Sequence, residues 1–245
     1  MNDEFPPQLF EIVHRVLYDN CPEKVDLVFL HGETRDNEDS SLTAGAKYYM
    51  RGFFPKIGIT WADKSIFDLW IEKYEQANPE LAERIKTNIK PDERGAIVGY
   101  PGFVHWKKRL MELNVNEEDI ILIEPDYNCY FSTDAEARGL VKFCIHQGIN
   151  NVCITAPPFH QIRAFISGVS ALIDLNATSL NLYNCPGNSV DWNEEVVHSQ
   201  GKVKGKRREL IKGELERILK YQKSGNPPLV SFDRVIEYLN QRASN

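Results

Sequence analysis

Short runs of apolar and β-branched residues alternate with segments of helical periodicity along most of this chain, and this alternation most restricts its fold. Two strands that are separated by a helix usually pair in parallel, because the helix carries the chain back to the edge from which the first strand started. The sequence therefore predicts an α/β fold with a Rossmann-like, doubly wound and mostly parallel sheet of about five strands.

The pattern also sets approximate boundaries. Strands are predicted at residues 25–30, 56–60, 120–123, 152–155 and 179–183, with a short further strand at 96–100. Helices are predicted at residues 7–18, 41–51, 103–113, 133–146, 159–172, 206–221 and 232–242. We expect a single domain over 1–245, with a core at 25–185, a charged helical insertion at 63–95, a long loop at 184–205 and a C-terminal helical extension at 206–245.

Composition removes several classes of protein. The chain has 245 residues, with 29 Lys and Arg against 35 Asp and Glu, and this negative balance argues against a dominantly basic nucleic-acid binder. It contains no apolar run of bilayer-spanning length, and its acidic start, M-N-D-E-F-P-P-Q, lacks the features of a secretory signal. We therefore expect a cytoplasmic protein with no membrane partner.

The cysteines and histidines do not predict a metal centre. The five cysteines, at positions 21, 129, 144, 153 and 185, include no C-x-x-C pair, so we expect them to be reduced and structural. His14, His105, His146 and His198 show no ligand spacing with acidic or thiol partners. The sequence therefore predicts no metal ligands, with a loosely held Mg²⁺ as the alternative that stays open.

Ligands of open parallel sheets bind beyond the carboxyl ends of the strands, where helix N-termini favour anions. The polar residues and turns that follow the predicted strands are therefore the candidate site. We expect ligand contacts from His31, Gly32, Glu33, Thr60, Gly102, Thr133, Glu136, Thr155 and Ala156. Glu124, at the end of another strand, is a candidate catalytic carboxylate.

The turn after the strand at 152–155 is the most informative of these. His160 and Arg163 lie three residues apart on one helix face, so both are expected over the sheet. An imidazole can exchange a proton and a guanidinium can bind phosphate or carboxylate, which makes both residues candidate catalytic groups. The alternative is a capping histidine and an arginine that pairs with a carboxylate such as Glu136. Likewise, Thr133 and Glu136 could belong to a capping box.

Other motifs of small-molecule enzymes are absent or incomplete. No G-x-G-x-x-G follows the first strand, so the standard dinucleotide fingerprint is missing. The segment 201–207 has glycines and lysines but neither the length nor the Ser or Thr of a phosphate-binding loop. The cations Lys202, Lys204, Lys206, Arg207 and Arg208 are interpreted as a solvated helix start, with RNA contact as the weaker alternative.

The block T-A-P-P-F-H-Q-I-R-A at residues 155–164 resembles the V-T-s-x-x-H-x-x-R-A block of the YdcF/SanA/ElyC-like family. The resemblance extends over about residues 25–185 and includes the turn at Gly32 and a helix with Tyr49 at the family tyrosine. It also includes an I-x-x-E strand that ends at Glu124 and a helix start at 132–137.

This family is a domain of unknown function with a Rossmann-like fold. The resemblance implies a site for a small, nucleotide-like molecule such as S-adenosylmethionine, and it does not supply a reaction. The chain departs from the family pattern at Ser41, where the family has arginine, and near Gly102, where the family has glutamate.

Two hypotheses about function follow. The first is an enzyme, a transferase or a hydrolase, that acts on a phosphate- or carboxylate-bearing molecule with His160, Arg163 and Glu124 as catalytic residues. The alternative is a non-catalytic sensor or adaptor that binds its ligand in the same crevice. Its partner surface would combine the loop around Trp192 with the insertion, where Phe67, Trp70 and Tyr74 share a helical spacing. The oligomeric state is left open.

Overall fold

The computed structural model describes residues 5–60, 67–88, 101–128, 132–177, 179–198, 203–225 and 228–243. Its helices are α1 (Pro7–Leu17), α2 (Glu38–Met50), α3 (Phe67–Ala77), α4 (Pro79–Asn88), α5 (Phe103–Glu112), α6 (Thr133–Gln147), α7 (Pro158–Asp174), α8 (Arg207–Ser224) and α9 (Phe232–Ala243). Its strands are β1 (Leu27–Leu30), β2 (Ile57–Thr60), β3 (Ile120–Ile123), β4 (Asn151–Thr155), β5 (Asn181–Asn184), β6 (Glu195–His198) and β7 (Val203–Lys206).

The main sheet has five strands in the order β3-β2-β1-β4-β5, and every neighbouring pair is parallel. The two central strands, β1 and β4, are buried on both faces, which is why their sequences are nearly continuous apolar runs. In the register of this pair, Leu30 lies opposite Thr155. The predicted Rossmann-like, doubly wound α/β fold is confirmed.

Helices cover the sheet on both faces. On one face, Phe29 of β1 and Ile154 of β4 pack in a core with residues of α1, α6, α7 and α9. On the other face, Leu30 and Cys153 pack with α2, with Trp106 of α5 and with the helices α3 and α4. The connection after β1 therefore leaves on one side and the connection after β4 on the other. Their carboxyl ends form the topological switch point of the sheet, where crevices open in such folds.

The ends of the central helices follow their local sequence. α7 begins at Pro158, at a position where the missing N–H of proline costs no helical hydrogen bond. α6 ends at Gly148, whose φ of 67° is left-handed and favours glycine. α2 begins at Glu38, three residues before its predicted start at Ser41. The first turn was missed because its residues are polar, although most of them are buried.

The predicted long loop at 184–205 is wrong in part. It contains β6 and β7, which form an antiparallel pair with Val196 opposite Gly205. The strands are short, and Glu195 and Lys204 are exposed on them, so the sequence shows no alternation long enough to reveal a hairpin. The predicted strand at 96–100 lies outside the described residues, and the division into core, insertion and extension stays a prediction.

The expectation that every cysteine is unbridged is also wrong. Cys153 and Cys185 form a disulfide with their Cα atoms 6.0 Å apart. The sheet brings them together, because Cys185 directly follows β5 and its N–H donates to the carbonyl of Ile154, next to Cys153 on β4. Strand register of this kind cannot be deduced from cysteine spacing.

Candidate functional site

The candidate site lies where β1 and β4 end side by side. The N–H of His31, the first residue after β1, donates to the carbonyl of Thr155, the last residue of β4, over 3.0 Å. From this point the chain turns towards α2 after β1 and towards α7 after β4. Two histidines, three acidic or hydroxyl side chains and one arginine meet here, and we call them the His–Glu cluster: His31, Glu33, Thr133, Glu136, His160 and Arg163.

The first pair of the cluster joins His31 to Glu136 of α6. Their Nδ1 and Oε2 atoms are 2.8 Å apart and both side chains are buried. A carboxylate only accepts hydrogen bonds, so it selects the tautomer in which Nδ1 carries the proton and Nε2 carries a lone pair. Among the residues that the structure describes, this buried Nε2 has no hydrogen-bond partner. His31 is therefore an oriented imidazole with an unused acceptor.

The second pair joins His160 of α7 to Glu33. The His160 Nδ1 contacts the Glu33 carboxylate, and its Nε2 lies 3.2 Å from the hydroxyl oxygen of Thr133. All three side chains are buried, and the His160 ring centroid is 6.0 Å from that of His31. The line Thr133, His160, Glu33 therefore places a hydroxyl, an imidazole and a carboxylate in hydrogen-bonding order.

Arg163, one helical turn after His160, completes the cluster. One guanidinium nitrogen donates to the Thr133 hydroxyl oxygen, and another forms an ion pair with the buried Glu214 of α8. Burial by itself lowers the Arg163 pKa, but the Glu214 carboxylate outweighs it, so the pKa is raised above its ordinary value. The alternative of an arginine paired with a carboxylate agrees with this ion pair, although the carboxylate is that of Glu214, and Glu136 binds His31 instead.

The start of α6 explains why Glu136 is free to bind His31. Ser132 is the N-cap, because its hydroxyl accepts from the N–H of Ala135 over 3.4 Å. A capping box needs Glu at the third helical position, which is Ala135 here. Glu136 lies one residue farther on and cannot close the box. The capping alternative therefore fails for Glu136.

Two hydroxyl groups are buried without a hydrogen-bond partner among the described residues. Thr155 Oγ1 and Ser41 Oγ have no hydrogen-bond partner in the described part of the chain, and both residues are fully buried. Side chains alternate along a strand, so Thr155 points to the same face as Cys153, the face that α2 covers. An unpaired buried hydroxyl costs about 1–3 kcal/mol, and such groups often mark a ligand position.

Glu124 is not brought to the cluster. It follows β3, which β2 separates from β1, and its carboxylate pairs with Lys73 of α3. About half of the Glu124 side chain is exposed. The position of Glu124 at a strand end was therefore not enough to predict that it joins the cluster, because the end of β3 lies two strands away from the end of β1.

The remaining predicted residues have structural partners or lie at the rim. The N–H of Ala156 donates to Gln161 and its carbonyl accepts from Gly187, so both backbone groups are already used. Thr60 is buried at the end of β2, and Gly32 is half-buried in the turn after β1. Gly102 precedes α5 with a φ of 97°, a conformation that favours glycine.

Arg207 corrects the expectation of a solvated basic segment. Its side chain is 1% exposed and binds Asn37, Glu194 and the carbonyls of Asp36 and Asp191. It thereby fastens the β6–β7 hairpin over the chain that leads from β1 to α2. Nothing in the sequence separates Arg207 from the cations beside it, since burial here depends on tertiary contacts.

Another buried acidic residue that was not predicted lies in α2. Glu38, in the first turn of α2, accepts from Trp106 Nε1 over 2.8 Å and lies 2.9 Å from His105 Nε2, so one carboxylate connects α2 to α5.

A separate cleft of about 240 Å³ lies between α7 and α9, near the amino end of β5. It is lined by Leu172, Leu180 and Tyr238 and lies away from the cluster.

Comparison with known protein families, with curated proteins and with solved structures found no significant match. The resemblance to the YdcF/SanA/ElyC-like family therefore stays a prediction. Within the described residues, no helix combines the length and the apolar character that crossing a bilayer requires.

Proposed function

We propose that this protein is an enzyme, a hydrolase or a transferase, that acts on a phosphate- or carboxylate-bearing, nucleotide-like molecule at the carboxyl ends of β1 and β4. The observation that carries the proposal is the pair of buried His–Glu contacts at the switch point, with the Nε2 of His31 left without a partner in the described chain. Titratable pairs held in a buried crevice are typical of active sites.

His31 is the better candidate for the general base. Glu136 holds its ring by Nδ1, so the lone pair on Nε2 points away from that carboxylate and can accept a proton from a ligand or from water. His160, the base expected from the sequence, has both ring nitrogens engaged by the protein itself. Its acid–base partner in this arrangement is the hydroxyl of Thr133.

Thr133 supplies a candidate nucleophile. When the hydroxyl oxygen attacks a phosphoryl or acyl group, its proton moves to the Nε2 of His160, and Glu33 stabilises the imidazolium through Nδ1. The Arg163 guanidinium, which already donates to this oxygen, favours its anionic form. The bond to the leaving group breaks as the new ester bond forms, and water activated by His31 then releases the group.

The ligand class follows from charge. The Arg163 guanidinium and the N–H groups in the first turn of α6, where Thr133 lies, are donors from which a phosphate or carboxylate group can accept. The carboxylates of Glu33, Glu136 and Glu214 lie beside these donors and offset the cation. S-adenosylmethionine, which carries a carboxylate, belongs to the same ligand class.

The sensor alternative has lost part of its support. Tyr74 of the insertion is buried and packs edge-on against Tyr127, and Trp192 packs against the small core of Phe159 and Leu210. Those aromatic residues therefore serve packing within the chain. The full pairing of His160 and Arg163 still favours binding without turnover, so a sensor is the second candidate.

A thermal-shift screen over nucleotides, S-adenosylmethionine and sugar phosphates, followed by product analysis of every hit, tests the proposal. A ligand that binds the native state raises the melting temperature, and an enzyme also yields a product. Thr133→Val should abolish turnover, whereas Thr133→Ser, which keeps a hydroxyl, should retain part of it. Stabilisation without product would favour the sensor, and equal turnover in Thr133→Val would remove the nucleophile.

A further inference from the structure

Three cysteine sulfur atoms meet on the opposite face of β4 from the His–Glu cluster. Cys153 lies on β4, Cys185 follows β5 and Cys21 follows α1, and the three Sγ atoms all lie within 4.8 Å of one another. Cys153 and Cys185 are bonded in this structure, and the Cys21 Sγ is 3.7 Å from that of Cys153. We call these three residues the sulfur triangle.

Of the three residues of the sulfur triangle, Cys21 is the most exposed to solvent. Cys153 and Cys185 are buried, whereas Cys21 is partly exposed. The Cys21 thiol is also influenced by two charges, the carboxylate of Asp19 and the guanidinium of Arg242, which form an ion pair with each other. Arg242 additionally stacks over the Tyr183 ring at 4.6 Å. A fixed ion pair therefore lies close to the sulfur atoms.

We propose that the reduced sulfur triangle is a binding site for a single thiophilic metal cation of the Zn²⁺ class, held by the thiolates of Cys21, Cys153 and Cys185. Zinc–sulfur bonds of about 2.3 Å place the sulfur atoms of a tetrahedral site about 3.8 Å apart. The separation of 3.7 Å between Cys21 and Cys153 already matches this value. Cys185 completes the set after a small side-chain rotation once its bond to Cys153 is broken.

The chemistry balances in two steps. A dithiol reductant gives two electrons and two protons to the Cys153–Cys185 bond, which leaves two thiols on the protein and one disulfide on the reductant. The cation then forms three bonds to sulfur and three protons leave the thiols. The resulting complex carries one net negative charge and lies next to the ion pair of Asp19 and Arg242. The fourth coordination position stays open to water or another ligand.

Simple thiol–disulfide exchange fits the arrangement less well. An attacking thiolate approaches along the axis of the bond that it breaks, so the three sulfur atoms would have to lie in a line. Here all three are mutually close and form a triangle.

Cadmium titration of the reduced, full-length chain tests the site. The protein is reduced, freed of reductant without oxygen and titrated with Cd²⁺ while the thiolate-to-cadmium absorption in the ultraviolet is recorded. We expect one Cd²⁺ per chain, release of three protons per ion and weaker binding as pH falls, because the thiols must lose their protons to bind the cation. Cys21→Ser should weaken binding about a hundredfold.

Cys144 and Cys129 provide matched controls. Cys144 lies in the core on the other face of the sheet, and Cys129 lies outside the described residues. Replacement of either by serine should leave the affinity for Cd²⁺ unchanged. Should a serine variant fail to fold, alkylation mapping of the unaltered chain decides instead: Cd²⁺ should protect Cys21, Cys153 and Cys185 but not Cys129. Unchanged binding in folded Cys21→Ser, no thiolate band, or no such protection would overturn the proposal.

Discussion

Polar side chains are more exposed at the amino end of the parallel sheet than at its carboxyl end. At the amino end, Lys56 and Asp119 form an ion pair with Tyr49 and Asn116 around it, and all of these side chains are partly or fully exposed. At the carboxyl end, the pair of His31 and Glu136 is buried, and one of its nitrogens has no partner in the described chain.

This difference in burial matters because an unpaired polar atom costs stability only where water cannot reach it. Exposed pairs contribute little to folding because water and salt screen them. Buried polar groups that remain unpaired destabilise the fold, so their presence indicates a selected use. The carboxyl end is therefore the end where function is expected, and replacements at the two ends should behave differently.

Loss of the acid–base groups should have the largest effect. His31→Gln keeps the polarity of the side chain but removes the proton acceptor, so we expect turnover of a substrate found in the screen to fall about 10²- to 10⁴-fold. Lys56→Gln at the amino end is the control and should leave turnover unchanged. Equal rates in all three proteins would place the chemistry elsewhere.

Loss of the buried arginine should have the next largest effect. Arg207→Met removes the donors to the Asn37 Oδ1 and to the carbonyls of Asp36 and Asp191, so the free energy of unfolding should fall by about 3 kcal/mol in urea denaturation. Arg208→Met, at an exposed neighbour, should change it by less than about 0.5 kcal/mol. A small effect at Arg207 would mean that the hairpin is not fastened there.

The unpartnered hydroxyl should respond with the opposite sign. Thr155→Val removes a buried hydroxyl that has no partner in the described chain, so it should raise the free energy of unfolding by about 1 kcal/mol. Thr34→Val is the matched control, because the Thr34 hydroxyl donates to the Val197 carbonyl over 2.7 Å. That variant should be destabilised. If Thr155→Val is also destabilised, its hydroxyl has a structural partner.

The amino-end pair should show the smallest effect. Lys56 and Tyr49 lower the pKa of Asp119 to about 2, so the carboxylate stabilises the native state above its unfolded pKa near 4. That contribution is lost as pH falls from about 4 towards 2. Asp119→Asn should flatten this acid dependence in melting experiments and change stability by less than about 1 kcal/mol at neutral pH. A larger neutral-pH effect would contradict the comparison.

Much of the fold could be predicted from the sequence, since parallel strands and helices leave a strong periodic signal. The strand at 120–123 and the start of α6 at Thr133 agree with the structure to the residue. The hairpin of β6 and β7 could not be predicted, because its strands are only four residues long and carry exposed charged residues such as Glu195 and Lys204. Strand register, which brings Cys153 to Cys185, is likewise a tertiary property.

The site was predictable only as a list of residues. Strand ends correctly brought His31, Glu33 and His160 to one place, since β1 and β4 are neighbours in the sheet. The partners of these side chains were not predictable: Glu136 binds His31, and Arg163 binds Glu214 from a helix fifty residues farther along the chain. Such long-range pairs leave no pattern in a single sequence.

A crystal structure with the strongest ligand of the screen tests the central claim most directly. The account predicts a ligand atom within hydrogen-bonding distance of the His31 Nε2, between the carboxyl ends of β1 and β4. A ligand in the cleft between α7 and α9, or a protein side chain that occupies the His31 Nε2, would contradict it.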